Sequence, residues 1–365
     1  MWNILKGAKP AAAAALDAGS DRIRVAVPRA GKPAVLAGVG ESEAVGIAGG
    51  RVSDEGAAAR SFAEAVAKAE QMSRLKIRKV FLGISTTEAE FLPVRAGTAF
   101  KNGRPIRKKD IGALLELAGN ADVPAGRQVI QVFGGEFAGP GFFAHRSQSG
   151  GKGHHYEWRG KALTVQKSLV EQLTSLLRRL GIEVAEITLS VTAAAGTVLG
   201  EAEKQVGTAV VDLGSATTSV AFYKNGILWE AGVLPVGGAH ITADLAIGLG
   251  CSLAAAEELK RQIGLCGGKK DRDAVFIARA RAEEILAMAG ELIGRQNVFP
   301  RGIVLTGGGA LLRGLPELAA EFFEVPVRLG TPRCVFPAGF SPDPAWCASV
   351  GLVQQKNEGG LHARF

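Results

Sequence analysis

The feature that most constrains the fold of this chain is a pattern that occurs twice: an apolar strand that ends in Asp-x-Gly-Ser and leads into a second strand. The first copy contains Asp17 and the second contains Asp212, so each half of the chain has one. A buried strand, a tight turn and a further strand are typical of a β-hairpin. The repetition therefore indicates a two-fold organisation at the scale of half the chain.

An Asp-x-Gly-Ser turn at the end of a strand suits the binding of a phosphate. Glycine lets the backbone approach a phosphate closely, and the exposed N–H groups and the hydroxyl donate hydrogen bonds to its oxygens. The aspartate can hold Mg²⁺ through water, because this ion prefers oxygen ligands and keeps several waters. One such turn is more often only a turn, but two copies in matching contexts favour a phosphate site at Asp17, Gly19 and Ser20 and at Asp212, Gly214 and Ser215.

A third glycine turn and a charged helix face complete the candidate site. This turn, Thr306-Gly-Gly-Gly309, follows the predicted strand Ile303–Leu305 and offers a flat backbone surface for a base or ribose. Glu257, Lys260 and Arg261 share one helix face, since they are spaced three and four residues apart. They form either a surface ion pair, which contributes little, or a site in which Glu257 and Lys260 bind ribose hydroxyls and Arg261 stacks on adenine.

Composition sets broad limits on the class of protein. The 365 residues are enough for two to three domain-sized units. The net charge of +8 allows an acidic partner, nucleic acid or an anionic membrane surface, or reflects ordinary solubility. The four cysteines show no zinc-site spacing and are typical of a reducing cytoplasm. The sequence contains no run of 18 apolar residues, so it predicts no transmembrane helix.

Longer segments carry a family resemblance in addition to these turns. They are Ile77–Ser85, Val123–Phe133, Leu234–Ala246 and Pro344–Leu352. With the turns, they resemble the FtsA family of bacterial cell-division proteins, within the actin-like ATPase superfamily, over about residues 16–352. The resemblance implies an α/β protein with an actin-like (ribonuclease H-like) two-lobed fold. It also implies an inserted α+β subdomain of the IC type, which actin and MreB lack.

The domain boundaries that we expect follow from this resemblance. They are residues 10–76 and 167–206 for the first lobe (IA), 77–166 for the inserted IC-like subdomain, 207–243 and 301–352 for the second lobe (IIA), 244–300 for subdomain IIB, and 353–365 for a C-terminal tail.

The resemblance also implies a nucleotide site for ATP and Mg²⁺. Its expected residues are Asp17, Gly19, Ser20, Asp212, Gly214, Ser215, Ala216, Thr217, Gly237, Gly238, Glu257, Lys260, Arg261, Gly307, Gly308 and Gly309. Asp17 and Asp212 are expected to hold Mg²⁺ through water, and no catalytic residue is assigned beyond these two.

The implied role is that of an ATP-binding scaffold that polymerises and links FtsZ filaments to the cytoplasmic membrane at the division site. The implied partners are the C-terminal tail of FtsZ, further copies of the chain, other division proteins that contact the IC-like subdomain, and an anionic membrane surface. Nucleic acid is not expected among them. The expected location is the cytoplasm, on the inner face of the membrane.

Two departures from the family pattern leave alternatives open. The second phosphate turn is usually Asp-x-Gly-Gly-Gly-Thr, but here Ser215 and Ala216 replace two glycines, so a positive φ is less accessible there. Thr192–Gly196 has no Gln, Asn or Glu to orient an attacking water, which predicts at most a slow ATPase. The alternatives are a nucleotide-dead adaptor or, with less support, a sugar or acid kinase. A kinase needs an aspartate base in a sugar cleft, and no polar cluster after the first turn supplies one.

The family's C-terminal amphipathic membrane helix has no counterpart in Val353–Phe365, which lacks an apolar face. Met1–Lys9 is an alternative tether, since Met1, Ile4 and Leu5 share one face of a short helix with Trp2 at its edge. An ordinary leader before the first strand explains the same residues.

Overall fold

The computed structural model describes residues 13–357 except 105, 140–141, 145–152 and 295–299. Its strands are β1 (Ala14–Ala18), β2 (Arg22–Arg29), β3 (Lys32–Glu43), β4 (Ile47–Ala48), β5 (Arg51–Val52), β6 (Lys79–Ile84), β7 (Glu90–Arg104), β8 (Arg127–Gly139), β9 (Phe142–Ala144), β10 (Gly153–Gln166), β11 (Glu183–Leu189), β12 (Thr208–Leu213), β13 (Thr218–Lys224), β14 (Ile227–Leu234), β15 (Gly302–Thr306) and β16 (Val327–Leu329). Its α-helices are α1 (Glu55–Ser73), α2 (Lys108–Gly119), α3 (Lys167–Arg179), α4 (Ser190–Val198), α5 (Glu201–Val206), α6 (Gly238–Leu249), α7 (Leu253–Ile263), α8 (Arg272–Gly294), α9 (Leu315–Phe323) and α10 (Cys347–Asn357).

The first lobe is built on a five-stranded sheet in the order β11-β6-β1-β2-β3. The central strand β1 runs antiparallel to β2 and parallel to β6, with Leu16 opposite both Val25 and Leu82. Side chains alternate between the two faces of β1. Leu16 therefore packs with α1 and α3 in one apolar cluster, while Ala15 packs with α4 and α10 in another. Asp17 follows Leu16 and so faces the α4 side.

The second lobe repeats this arrangement in the order β14-β13-β12-β15-β16. Its central strand β12 is antiparallel to β13 and parallel to β15, with Asp212 opposite Ser219 and Thr306. Its main apolar cluster is filled by α6, α8 and α9. The two aspartates thus end equivalent central strands, as the sequence repetition predicts.

The inserted subdomain consists of an antiparallel sheet in the order β7-β10-β8-β9 and the helix α2. Trp158 and Leu114 are fully buried in its core. This agrees with the predicted α+β insertion, but the expected boundary at residue 77 is wrong, because β6 lies in the sheet of the first lobe. Val80, Leu82 and Ile84 are buried there beside β1, so the insertion begins only after β6.

The C-terminal boundary also differs from the prediction. Residues 344–352 were expected in the second lobe, with a tail beginning at residue 353, yet α10 runs through this point to Asn357. Val350, Leu352 and Val353 are fully buried against the first sheet. The segment before α10 reaches the same lobe, since the Leu36 N–H donates to the Val335 carbonyl at 2.9 Å. The last part of the chain therefore packs on the first lobe. Met1–Lys9 and the residues after 357 lie outside the described part.

In the described part of the chain, no single helix is both long and apolar enough to cross a membrane. The helices α6 and α7 pass such a test only as a pair bent by 109°.

Candidate functional site

The carboxylate of Asp17 lies at the end of β1 and is nearly buried, with 8% of the residue exposed. The Ser190 hydroxyl, at the start of α4, donates a hydrogen bond of 2.6 Å to its Oδ1 atom. Burial raises the pKa of Asp17, although the hydrogen bond from Ser190 and the positive charge of Arg24 oppose this. Gly83 on β6 leaves room for the carboxylate, since a Cβ there would lie 3.1 Å from Asp17 Oδ1 and 2.9 Å from Ser190 Oγ.

The carboxylate of Asp212 occupies the equivalent place in the second lobe. The Thr306 hydroxyl, at the end of β15, donates a hydrogen bond of 2.8 Å to its Oδ2 atom. Burial raises the pKa of Asp212 to about 6; Thr306 opposes the shift, and the negative charge of Asp17 adds to it. Because the negative charge of Asp17 acts on Asp212, the carboxylates contributed by the two lobes lie near each other.

Both Asp-x-Gly-Ser turns are tight, as expected of glycine turns at strand ends. A Cβ on Gly19 would lie 2.6 Å from the Arg22 carbonyl oxygen, and one on Gly214 would lie 2.9 Å from the Thr217 carbonyl oxygen. The Gly214 N–H donates to this second oxygen at 2.9 Å. Ser20 and Ser215 follow the two glycines, and both are half-buried.

The second turn does not use positive φ at the two positions where serine and alanine replace glycine. Among the described residues, the non-glycine positions with positive φ are Arg74, Asn225 and Glu324. Ser215 and Ala216 therefore adopt negative φ, which their Cβ atoms allow. The turn accommodates both side chains without the conformation that three glycines would permit.

The pair Gly237–Gly238 docks the beginning of α6 on this turn. The Gly238 N–H donates to the Gly214 carbonyl, and the Ala239 N–H donates to the Ser215 carbonyl, both at 2.9 Å. A Cβ on Gly237 would lie only 2.6 Å from the Ser215 oxygen. The close approach of the two backbones requires glycine there.

The charged face of α7 is tied to the same place. Lys260 Nζ donates to the Gly238 carbonyl at 3.0 Å, to Thr242 Oγ1 at 2.8 Å and to Glu257 Oε2 at 2.6 Å. Burial alone would raise the pKa of Glu257, but hydrogen bonds from Lys260, Thr242 and Arg261 outweigh it and lower this pKa to about 2. Glu257 is therefore a carboxylate at neutral pH, and Arg261, bonded to it at 2.8 Å, remains exposed.

The glycines of the third turn have different surroundings. Gly307 has a φ of 83°, and a Cβ there would lie 2.5 Å from the Leu213 carbonyl oxygen. A Cβ on Gly309 would lie 1.8 Å from the Leu213 Cδ2 atom. No described atom lies within 4 Å of a Cβ on Gly308. The outer two glycines serve the packing on β12, and Gly308 faces open space.

The predicted residues therefore form two connected groups. In one, Asp17 and Asp212 lie near each other beside the two Asp-x-Gly-Ser turns. In the other, the glycine pair before α6, the charged face of α7 and the third turn surround the second turn. Sequence reasoning missed Ser190, Gly83 and Thr242, and it named Thr306 only as the start of the third glycine turn. Three of these lie on or just after strands parallel to β1 or β12, so the pairing of those strands was the signal that could have found them.

The family model and the relatives that match this chain carry the same description. A family model described as Cell division protein FtsA matches residues 209–351. The Cell division protein FtsA of Bacillus subtilis (strain 168) is 28% identical over 364 residues, covering 93% of this chain and 82% of that protein. The FtsA of Pseudomonas aeruginosa is 29% identical over 356 residues, covering 89% and 85%. The chain is therefore similar to the Cell division protein FtsA family over most of its length. This confirms the family resemblance and supports an actin-like role in cell division.

Solved structures confirm the fold of the FtsA-like chain. A chain of the PilM-PilN type IV pilus biogenesis complex matches with a TM-score of 0.70 at 19% identity, covering 95% of this chain and 98% of that one. MreB 5 of Spiroplasma citri, solved with bound AMPPNP, matches with a TM-score of 0.57 at 15% identity, covering 94% and 95%. At these identities the likeness concerns the fold alone, and it agrees with the predicted actin-like architecture.

Proposed function

We propose that the FtsA-like chain is an ATP-binding scaffold of the bacterial cell-division machinery whose assembly is controlled by nucleotide. One observation carries the proposal: equivalent strands of the two lobes end in neighbouring carboxylates, each next to a glycine turn and each held by a hydroxyl. A ligand with several phosphates can contact both turns at once. Its binding would thereby favour the arrangement in which the lobes are close.

The two carboxylates also suit Mg²⁺. Both have raised pKa values because of burial, and the charge of Asp17 further raises that of Asp212. A hard cation with oxygen ligands would relieve this repulsion and balance the phosphate charge. Asp17 and Asp212 would hold it through water, while Ser190 and Thr306 fix the orientation of the two carboxylates.

ATP turnover in this site is expected to be slow. Ser190, the first residue of α4, already donates its hydroxyl to Asp17, and the Thr192 hydroxyl donates to the Leu189 carbonyl at 2.8 Å. The rest of the segment up to Gly196 contributes no Gln, Asn or Glu that could orient water. ATP then acts mainly as an assembly ligand, with turnover well below the about 10 s⁻¹ of a typical enzyme.

The further parts of the proposal follow the family. The chain polymerises, binds the C-terminal tail of FtsZ, contacts other division proteins through the inserted subdomain, and works at the cytoplasmic face of the membrane. The candidate tether Met1–Lys9 belongs to this proposal. If it binds anionic lipid only weakly as a single copy, polymerisation would multiply its effect by avidity.

Titration with Mg²⁺·ATP, followed by sedimentation with and without the nucleotide, tests the proposal. We expect saturable binding and nucleotide-dependent pelleting. Binding that never saturates would support the nucleotide-dead adaptor, which the replaced glycines at Ser215 and Ala216 favour. Phosphate release above about 1 s⁻¹, or phosphate transfer to common sugars in a coupled assay, would contradict the scaffold.

A further inference from the structure

The inserted subdomain contacts both lobes at its base, which we define as Gln131 and Phe133 of β8 and Lys161 and Leu163 of β10. Phe133 and Leu163 belong to one apolar cluster with Val191 of α4 and with strands of the second lobe. The base of the insertion is thus packed where the lobes meet. A change in the distance between the lobes must alter its contacts.

An ion pair joins the base to the second lobe. Lys161 Nζ donates to Glu230 Oε2 and to the Trp229 carbonyl, both at 3.0 Å. The side chain of Glu230, on β14, is 9% exposed, and that of Lys161 is 29% exposed. Removing one member of such a shielded ion pair destabilises the fold, because the charge of the other member is then left unpaired and largely buried.

A second contact joins the base to the first lobe. The Thr188 hydroxyl of β11 donates to Gln131 Oε1. Gln131 is 2% exposed, and its Nε2 atom has no partner among the described residues. Thr188 lies opposite Gly83, which in turn lies opposite Asp17. The contact therefore lies in the same row of the sheet as the first phosphate carboxylate, two strands away.

We propose that these two contacts, Lys161–Glu230 and Gln131–Thr188, form a latch by which the inserted subdomain senses closure of the lobes. The proposal rests on the proposed binding of nucleotide between the lobes. The structure has both contacts formed while residues of the two lobes share one apolar cluster with the base, so the latch and the packing of the lobes against each other occur together. A ligand that holds the lobes together stabilises the latch, and by reciprocity the latch raises the affinity for that ligand. A partner that pulls the inserted subdomain away from the lobes would lower the affinity for nucleotide by the same factor.

The test measures the Kd for Mg²⁺·ATP in the full chain with Lys161→Met and, as a milder change, Glu230→Gln. We expect each to raise the Kd by about 5-fold or more, the lower range of allosteric coupling. The exchanged pair Lys161→Glu with Glu230→Lys should restore affinity. The matched control is Lys79→Met, which breaks the exposed first-lobe pair Lys79–Glu183, also 3.0 Å long, and should leave the Kd unchanged.

Amide hydrogen exchange gives a readout that does not depend on ATP. Without nucleotide, residues 127–133 and 158–166 should exchange faster in the latch variants than in the parent. ATP should protect these segments in the parent but not in the variants. Parent-like affinity in both latch variants, or no recovery in the exchanged pair, overturns the latch. If the parent itself fails to bind ATP, the proposed function fails, and parent-like exchange in the latch variants without nucleotide then overturns the latch separately.

Discussion

The two lobes have the same sheet and the same carboxylate at the end of the central strand, but they differ in what surrounds it. In the first lobe, the hydroxyl that donates to Asp17 comes from the start of α4. The strand beside β1, which is β6, leads into the inserted subdomain. In the second lobe, the donor to Asp212 comes from the end of β15, which continues into the third glycine turn. The proposed phosphate contacts are therefore shared by both lobes, whereas the predicted nucleoside contacts belong to one lobe.

This difference divides the work between the lobes. Around the second turn, Lys260 donates to the Gly238 carbonyl, the Gly238 N–H donates to Gly214, and Gly309 lies against Leu213 at the end of β12. Around the first turn, the described contacts lead to α4, α10 and the base of the insertion. We infer that the second lobe selects the ligand and that the first lobe transmits its presence to the rest of the molecule.

The largest effect is expected from removing one carboxylate. Asp212→Ala should weaken binding of Mg²⁺·ATP by about 100-fold, because the ion loses a carboxylate that holds it through water and the phosphates then lose the ion that balances their charge. The fold should persist, since the Asp212 side chain belongs to none of the apolar clusters. Isothermal titration and circular dichroism measure the two quantities. Asp122→Ala, on an exposed loop, is the control, and parent-like affinity in Asp212→Ala would show that the site is misplaced.

The pH dependence of stability should reveal the same carboxylate without any ligand. The pKa of Asp212 is raised to about 6 in the folded chain, so the folded state disfavours its ionised form. The free energy of unfolding should therefore fall as the pH rises from about 4 through about 6, by about 2 kcal/mol after allowance for partial exposure. Denaturant titrations of the parent and Asp212→Asn check this. In the variant, the free energy of unfolding should depend much less on pH, and Asp17 should account for the dependence that remains. An unchanged dependence on pH would contradict the raised pKa of Asp212.

The third turn separates packing from ligand contact. Gly308→Ala should leave the free energy of unfolding within about 0.5 kcal/mol of the parent, because its Cβ meets no described atom. It should nevertheless weaken the binding of ATP about 10-fold, because the methyl group occupies the proposed nucleoside surface. Gly309→Ala should instead destabilise the fold by more than about 1 kcal/mol, because its Cβ overlaps Leu213. Thermal unfolding and nucleotide titration of both variants distinguish the two roles. Equal affinities of Gly308→Ala and the parent would remove this turn from the site.

Local patterns in the sequence predicted the repeated hairpins, the glycine turns and the charged face of α7, because these depend on neighbouring residues. The place of β6 was missed, since an apolar run such as Val80–Ile84 fits either sheet and only strand pairing decides. The path of α10 was missed for the same reason, because its partners on β1 are more than 300 residues away in sequence. Ser190 carries no motif, and Thr306 was named only as the start of the third glycine turn. Both become partners of the two aspartates only through the parallel pairing of the strands that they end or follow.

The smallest effect concerns the replaced glycines of the second turn. If Ser215 and Ala216 strained this turn, restoring glycine at both positions would stabilise the chain and strengthen nucleotide binding. Both residues have negative φ, however, and the turn accepts the hydrogen bonds from Gly238 and Ala239 through the backbone carbonyls of Gly214 and Ser215.

We therefore expect the double variant Ser215→Gly with Ala216→Gly to change ATP affinity by less than about 3-fold. Its stability should fall by about 1 kcal/mol, because two glycines increase the entropy of the unfolded chain. Titration and denaturant unfolding measure both values. A gain in affinity of 10-fold or more would mean that the side chains, and not the backbone of the turn, weaken the second phosphate site, and it would favour the adaptor over the ATP-controlled scaffold.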